Sequence, residues 1–152
     1  MPATTRPTPS APDPIEPTTA LPIVVGGHIR AEVEDRPTAI ALRDALAARA
    51  PAGFPRAPVV VTDLWYLNTD PLRSQPTISI GRPEVNALSA YLADKLPSVL
   101  AIDDRLIVQL DPDLTDPAAS CWGTDAEATA EAVRLFLERW ADVFLAAAAR
   151  PW

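Results

Sequence analysis

A strand, a one-glycine turn and a helix follow one another in residues 77–96, and no other stretch constrains the fold as strongly. The β-branched run from Thr77 to Ile80 stops at Gly81, and Arg82-Pro83 then open a segment with helical spacing of apolar residues. Proline suits a first helical turn because it has no N–H to leave unpaired. The apolar positions are Val85, Leu88, Leu92 and Leu96. A strand that runs directly into a helix is the half-unit of parallel α/β domains.

Four further segments read as strands. Residues 58–62 give the strongest signal, because three consecutive valines are typical of a parallel strand that is covered on both faces. Residues 21–25 form a short apolar run before two glycines, and residues 99–102 and 105–110 flank Asp103. The last two segments could pair as a hairpin across this acidic turn. Residues 29–34 are expected either to extend the first strand or to form an irregular loop.

Two more helices are predicted. Asp35 can cap the first of them, which runs to Ala50 with apolar residues at Ala39, Leu42 and Leu46. The final helix begins with Thr124 and Glu127, spaced as a capping box, and continues to about Ala148. Its broad apolar face consists of Ala132, Val133, Phe136, Leu137, Trp140 and Phe144. Residues 111–119 are rich in Pro and Asp and are predicted to form a loop.

These elements predict a three-layer α/β domain with a mainly parallel sheet of about five strands, about three helices and an edge hairpin. An α+β domain with a mixed sheet is the alternative. Residues 21–150 form the single domain, because the chain length suits one core. Residues 1–20 are expected to be a disordered tail, since six prolines among small polar residues bury too little surface to offset their ordering entropy.

Charge and composition exclude several classes of function. With 20 acids and 13 bases the chain carries a net charge of −7, which disfavours nucleic-acid binding. One cysteine and one histidine argue against an internal disulfide and a dedicated transition-metal site, and no cofactor is predicted. No apolar run approaches the roughly 20 residues of a membrane span, and no signal segment is visible, which favours a cytoplasmic protein. Usage rich in Ala, Arg and Pro is typical of bacteria with GC-rich genomes.

The candidate ligand site lies in three loops that follow predicted strands. In a parallel sheet the carboxyl ends of the strands share one edge, where ligands usually bind. The candidate residues are Gly26, Gly27, His28, Asp63, Trp65, Tyr66, Asn68, Gly81 and Arg82. Glycines there would let a ligand approach the backbone, and the side chains offer polar and stacking contacts. The competing interpretation is that the glycines only make turns, Asp63 caps a turn and the aromatic residues cover the core.

Two other arrangements suggest chemistry but have simpler explanations. Cys121, His28 and Asp63 are the residue types of an activated nucleophile, yet a lone cysteine is more often a buried small hydrophobe. Five aspartates could attract a hard cation, but prolines separate them and the EF-hand spacing is missing, so solvated loop acids are favoured. They are Asp103, Asp104, Asp111, Asp113 and Asp116. The sequence therefore assigns no catalytic or metal-binding residue.

Two short motifs resemble a known family. Residues 80–86, IGRPEVN, followed by an amphipathic helix, resemble the strand–GGP-x-x-N–helix unit of archaeal surface-layer-type domains. Residues 122–129, WGTDAEAT, resemble the small-residue turn and (T/S)-A-E-D-T helix start found later in those domains. Arg82 replaces the second glycine and Ala128 stands where an acidic residue is usual. The resemblance implies an α/β module with this connectivity, and it implies no surface-layer assembly.

Two functional hypotheses follow. The first is a non-catalytic α/β module that works through a protein partner or a homo-oligomer, because catalytic signatures are missing and the chain has a proline-rich arm; the bulky aromatic residues of the last helix add to this. The second is a binding protein or enzyme for a small anionic molecule, which would use the strand-tip loops around Gly26, Asp63 and Arg82. Neither hypothesis involves nucleic acid or a membrane.

Overall fold

A computed structural model describes residues 15–150. Residues 1–14 of the predicted tail, and the final residues 151–152, lie outside that part of the chain. The remainder of the predicted tail contains regular secondary structure, whereas the sequence predicted disorder. Pro17–Thr19 form a short 3-10 helix, and Ala20 is already the first residue of a strand. The domain therefore begins slightly before the predicted boundary.

A mixed sheet of six strands forms the centre of the molecule. The strands are β1 (Ala20–Val25), β2 (Ala57–Thr62), β3 (Thr77–Ile80), β4 (Ser98–Ile102), β5 (Leu106–Leu110) and β6 (Ala118–Gly123). Their order across the sheet is β2-β1-β3-β6-β5-β4. The first four strands in this order are parallel, whereas β5 is antiparallel to both β6 and β4. The predicted α/β fold with a mainly parallel sheet and an edge hairpin is thus confirmed.

Seven α-helical segments connect or follow the strands within residues 15–150. They are α1 (Ile29–Glu34), α2 (Arg36–Arg49), α3 (Asp63–Leu67), α4 (Asp70–Arg73), α5 (Ala87–Leu92), α6 (Ala126–Arg139) and α7 (Ala141–Ala148). The predicted final helix is interrupted at Trp140, whose backbone leaves helical geometry. None of these helices has the combined length and apolar character needed to cross a membrane.

Several local predictions were wrong. The segment after His28 is neither strand nor loop but α1, because the His28 ring accepts a hydrogen bond from the backbone N–H of Arg30 and caps it. Residues 118–119, predicted as loop, open strand β6. Pro83 lies in a turn rather than a helix, and α5 begins after Asn86. The side chain of Asp125, not of Thr124, caps α6.

Helices cover both faces of the sheet and create two apolar clusters. The larger cluster lies beneath α2, α6 and α7 and contains alternate residues of the strands, such as Ile23 and Ile78. The smaller lies on the opposite face beneath α3, α4 and α5 and consists of Ala20, Val24, Val61, Tyr66, Leu72, Leu88 and Leu92. Burial on both faces explains the continuous apolar runs of the parallel strands.

The direction of chain crossing changes between β1 and β3. From β1 the chain moves to β2 on one side, and then returns past β1 to place β3 on the other side. Such a switch point normally leaves a crevice at the carboxyl ends of the two strands, where ligands bind. In this protein the loops after Val25 and Ile80 meet at that position.

Candidate functional site

Helix α1 lies across the carboxyl edge of the sheet. Its buried residue Ala31 faces Gly26 at the end of β1, with the Ala31 Cβ 3.0 Å from the place where a Cβ on Gly26 would lie. One turn later the carboxylate of Asp35 faces Gly81, which has a positive φ of 112° after β3. The helix therefore covers the switch point from above, since it contacts the residues that follow both strands.

The loop of residues 82–86 fills the crevice from the side. A Cβ on Gly26 would lie 1.8 Å from the carbonyl oxygen of Val85. No such contact exists between real atoms, so this loop can take its place only because Gly26 has no side chain. The glycine that the sequence suggested for ligand approach is used for approach by the protein's own backbone.

Asn86 fastens this loop to both strands of the switch point. Its Nδ2 donates to the carbonyl oxygen of Val24 at 3.1 Å and to that of Ile80 at 2.9 Å. Its Oδ1 accepts from the backbone N–H groups of Leu88 and Ser89, so the same side chain caps α5. The side chain is 1% exposed, and its amide nitrogen and oxygen are both occupied. Asn86 therefore acts as a structural cross-link between β1 and β3.

Asp63 joins three segments at the same edge. One carboxylate oxygen, Oδ1, accepts from the N–H of Gly27 at 2.9 Å and from its neighbour Leu64 at 2.7 Å. The other, Oδ2, accepts from the N–H of Ala87 at 2.8 Å. Such charge-assisted bonds are about twice as strong as neutral ones. The carboxylate thus ties the β1 loop and α5 to the start of α3, and its oxygens are already engaged in the folded protein.

Asp35 is the perturbed acid of this edge. Its side chain is 3% exposed and takes no hydrogen bond from any group in residues 15–150. Burial, aided by the nearby charge of Glu34 and opposed by Arg82, raises the pKa of Asp35 to about 6. The predicted capping of α2 by this side chain is wrong, because the carboxylate turns toward Gly81 instead.

The candidate residues are divided among separate depressions. Gly27, His28 and Asp63 line an open depression of about 510 Å³ together with Pro83. Arg82 lies in a neighbouring depression of about 420 Å³, which also receives Arg30, Glu84 and Trp122. There the Nη1 of Arg82 donates to the carbonyl oxygen of Thr124 at 3.0 Å. Gly26 and Gly81 are buried beneath α1.

The predicted loop of residues 63–68 is helical, and Tyr66 points away from the switch point. Tyr66 reaches the opposite end of the sheet, where its hydroxyl lies 3.0 Å from the Thr77 Oγ1, and burial raises the pKa of Tyr66. Trp65 is partly exposed, and the Asn68 Nδ2 donates to the carbonyl oxygen of Leu64. The open depression of about 510 Å³ thus receives residues from all three predicted loops, but Trp65, Tyr66, Asn68 and Arg82 do not line it.

The alternative chemical arrangements also have structural explanations. Cys121 is fully buried in β6, and burial raises the pKa of its thiol far above the usual range. A thiol in that state is a poor nucleophile. Within residues 15–150 no cluster of His, Cys, Asp and Glu has the geometry of a metal site. In the long loop the carboxylate of Asp111 accepts hydrogen bonds from the backbone N–H groups of Asp113 and Thr115.

Sequence reasoning missed Asn86 as a central residue. Its position before an apolar helical run is the signal of an N-cap, which the proline at position 83 obscured. Nothing in the sequence indicates that the amide also bonds two distant strands. A comparison of the chain with protein-family models finds no match, and a comparison with curated proteins finds none either.

Proposed function

We infer that this chain is a non-catalytic α/β module that binds another protein through the carboxyl edge of its sheet. The observation that carries this proposal is a surface of four large apolar side chains at the edge where α/β proteins usually bind ligands. Ile29 and Val33 on α1 are 76% and 71% exposed, and Leu64 on α3 is 63% exposed. Together with Trp65 they are named here the edge patch.

The two parts of the edge patch come close at Gly27, which precedes α1 and lies beside Leu64 of α3. The Leu64 Cδ1 lies 3.6 Å from the position of a Cβ on Gly27, two residues before Ile29. Ile29 and Val33 are one helical turn apart, so they share a face of α1. The buried face of the same helix carries Ala31, and Asp35, which follows the helix, is also buried. An exposed apolar helix face above a filled crevice supports docking of a partner more than binding of a small molecule.

The internal bonding of the edge also supports a non-catalytic role. The oxygens of Asp63 and the amide of Asn86 bind backbone groups of the protein itself. The aromatic residues of the last helices do not contribute to this argument. Phe136 and Phe144 pack edge to face in the core with ring centroids 5.7 Å apart.

The test compares partner capture by one double variant and one single control variant of the full chain in its native cells. Ile29→Ser with Leu64→Ser should lose a stoichiometric partner that the unmodified chain retains after cross-linking. Val143→Ser is the matched control, because this valine of α7 is also exposed, at 53%, but does not belong to the edge patch. The edge patch would be rejected as the docking surface if the patch variant captured as much partner as the unmodified chain. It would also be rejected if the control lost as much partner as the patch variant.

A second candidate function is binding of a small anion in the depression of Arg82. Arg30 and Arg82 both line it, and Arg82 uses one of its five N–H donors on Thr124, so further donors remain for a carboxylate or phosphate. Inorganic phosphate should then raise the melting temperature of the unmodified chain but not of Arg82→Ala. Arg134→Ala, on the exposed face of α6, is the control that should keep the shift.

A further inference from the structure

The outer face of helix α1 combines an apolar stripe with two opposite charges. The stripe consists of Ile29 and Val33 and lies opposite the buried residue Ala31. Because each residue advances an α-helix by about 100°, Arg30 and Glu34 both fall on one flank of this stripe. That flank therefore carries a base near the start of the helix and an acid at its end.

These two charges have no ion-pair partner in the described part of the chain. Arg30 and Glu34 form no ion pair in residues 15–150, although a spacing of four residues places them one turn apart on the helix. The charge on the opposite flank of α1, that of Glu32, is already paired with Arg36 at 2.9 Å. Arg30 and Glu34 are thus available to charges of another molecule, whereas Glu32 is neutralised.

The same face of a second copy of the chain carries the matching charges. When two identical helices pack face to face across a two-fold axis perpendicular to them, they run antiparallel and their equal flanks come together. Ile29 of each copy then lies against Val33 of the other, and Arg30 of each copy lies against Glu34 of the other. A parallel arrangement would instead bring Glu34 beside Glu32 of the second copy, which places two acids together.

The exposed area of the edge patch suits such a dimer. Its four large side chains are between 42% and 76% exposed, so they offer on the order of 500 Å² per copy, and roughly 1,000 Å² in total is the lower size of a specific interface. Leu64 extends the contact, since it lies beside Gly27, which precedes α1, and therefore faces the end of α1 in the second copy.

We propose that the edge patch is the interface of a two-fold symmetric dimer of this chain, in which the α1 helices of the two copies pack antiparallel. This inference rests on the proposed docking function of the edge patch and names its partner.

Analytical ultracentrifugation of the full chain tests the proposal. At about 0.15 M salt the Debye length is about 8 Å, so the net charge of −7 on each copy is largely screened. The unmodified chain should show a reversible monomer–dimer equilibrium between about 1 μM and about 1 mM, because an interface of this size is a weak one. Ile29→Ser with Leu64→Ser should raise the dissociation constant about tenfold or more. Val143→Ser, which changes an exposed valine of α7, should leave it unchanged.

Charge reversal identifies the antiparallel pairing. Arg30→Glu alone and Glu34→Arg alone should each weaken the dimer about tenfold, because each change places like charges together twice in a symmetric dimer. An equal mixture of these two variants should restore the dimer, since each new charge then meets its opposite on the other chain. This recovery separates repulsion at the interface from damage to α1, because mixing would not rescue a misfolded helix.

The outcomes separate the symmetric dimer from the docking function on which it rests. The dimer would be overturned by a chain that stays monomeric over the whole concentration range, or by a dimer that survives Ile29→Ser with Leu64→Ser. A dimer that Glu34→Arg strengthens, or a mixture of the two charge variants that stays monomeric, would overturn it as well. If the Ile29→Ser, Leu64→Ser variant still lost a cross-linked partner in cells, the docking function would stand and the edge patch would bind a different protein. If that loss were also missing, the docking function itself would be rejected.

Discussion

Replacing Asn86 by Ala should destabilise the protein more than any other substitution of a polar side chain at the carboxyl edge. The amide makes two hydrogen bonds to carbonyl groups of β1 and β3 and accepts two from the start of α5. Loss of an N-cap costs about 1 kcal/mol. Each buried group left without a partner costs about 1–3 kcal/mol. We expect a total loss of about 3–5 kcal/mol in the free energy of unfolding. The total is below the sum of the separate costs, because the strand carbonyl oxygens also accept hydrogen bonds from neighbouring strands.

Urea denaturation followed by tryptophan fluorescence and by circular dichroism measures this loss. Asn68→Ala is the matched control, because its exposed amide makes one bond to Leu64 and its removal should change stability by less than about 0.5 kcal/mol. Asn86→Asp separates the two roles of the side chain. It keeps the oxygen that caps α5 but turns a second oxygen toward Val24 and Ile80, so it should be at least as destabilising as Ala at neutral pH.

Acid should partly relieve the Asn86→Asp defect, because a protonated carboxyl can donate one of the two lost bonds. The cross-link would be refuted if Asn86→Asp were as stable as the unmodified chain at neutral pH. It would equally be refuted if Asn86→Ala cost no more than Asn68→Ala.

Three further predictions concern the same fold. Gly26→Ala should cost about 3 kcal/mol or more, because its Cβ would lie 1.8 Å from the Val85 carbonyl oxygen, whereas Gly27→Ala, with its nearest atom at 3.4 Å, should be nearly neutral in urea denaturation. Burial raises the pKa of Asp35 from 3.8 to about 6, so the folded protein loses stability as pH rises through that window and the carboxylate ionises. Asp35→Asn should therefore have a free energy of unfolding up to about 3 kcal/mol higher than the unmodified chain above pH 6, and an equal one near pH 3. A difference that does not depend on pH would contradict this. Arg56→Lys should lower stability by about 2 kcal/mol in the same assay, because an ammonium has all its donors on one nitrogen, whereas Arg56 bonds Ala148 through Nε and both Ala20 and Gln75 through Nη1. An unchanged midpoint would show that these bonds add nothing.

The strands that the sequence predicted correctly are those with β-branched or long apolar residues. β3 has this character because both of its faces are buried under helices, and β2, at the edge of the sheet, is partly buried and packs Val60 on one face and Val59 on the other. Strand β6 escaped prediction because it contains Ala119, Ser120 and Cys121, which have weak strand propensity. Its environment explains the small residues, since a Cβ on Gly123 would meet Ala128 of α6 at 2.4 Å.

The sequence indicated where the candidate site lies, but not that the protein's own backbone fills it. Glycines after β1 and β3 correctly indicated that the backbone is approached closely at the carboxyl edge. The approaching group is the carbonyl oxygen of Val85, which no local pattern reveals because the contact joins segments far apart in the chain. Helix α1 was missed for a related reason. Its exposed face carries Ile29 and Val33, so its apolar pattern resembles a strand continuing from β1.

The place of β6 in the sheet determines when the fold can be completed during synthesis. β6 is the last strand in the chain, yet it lies between β3 and β5 and pairs with both. Until residues 118–123 leave the ribosome, β1, β2 and β3 form one half of the sheet, and the β4–β5 hairpin forms another. Each half then presents an unpaired strand edge, which is a hazard for association with other chains. Strand β6 pairs with both edges, so a chain that stops before Ala118 would leave β3 and β5 without their shared partner.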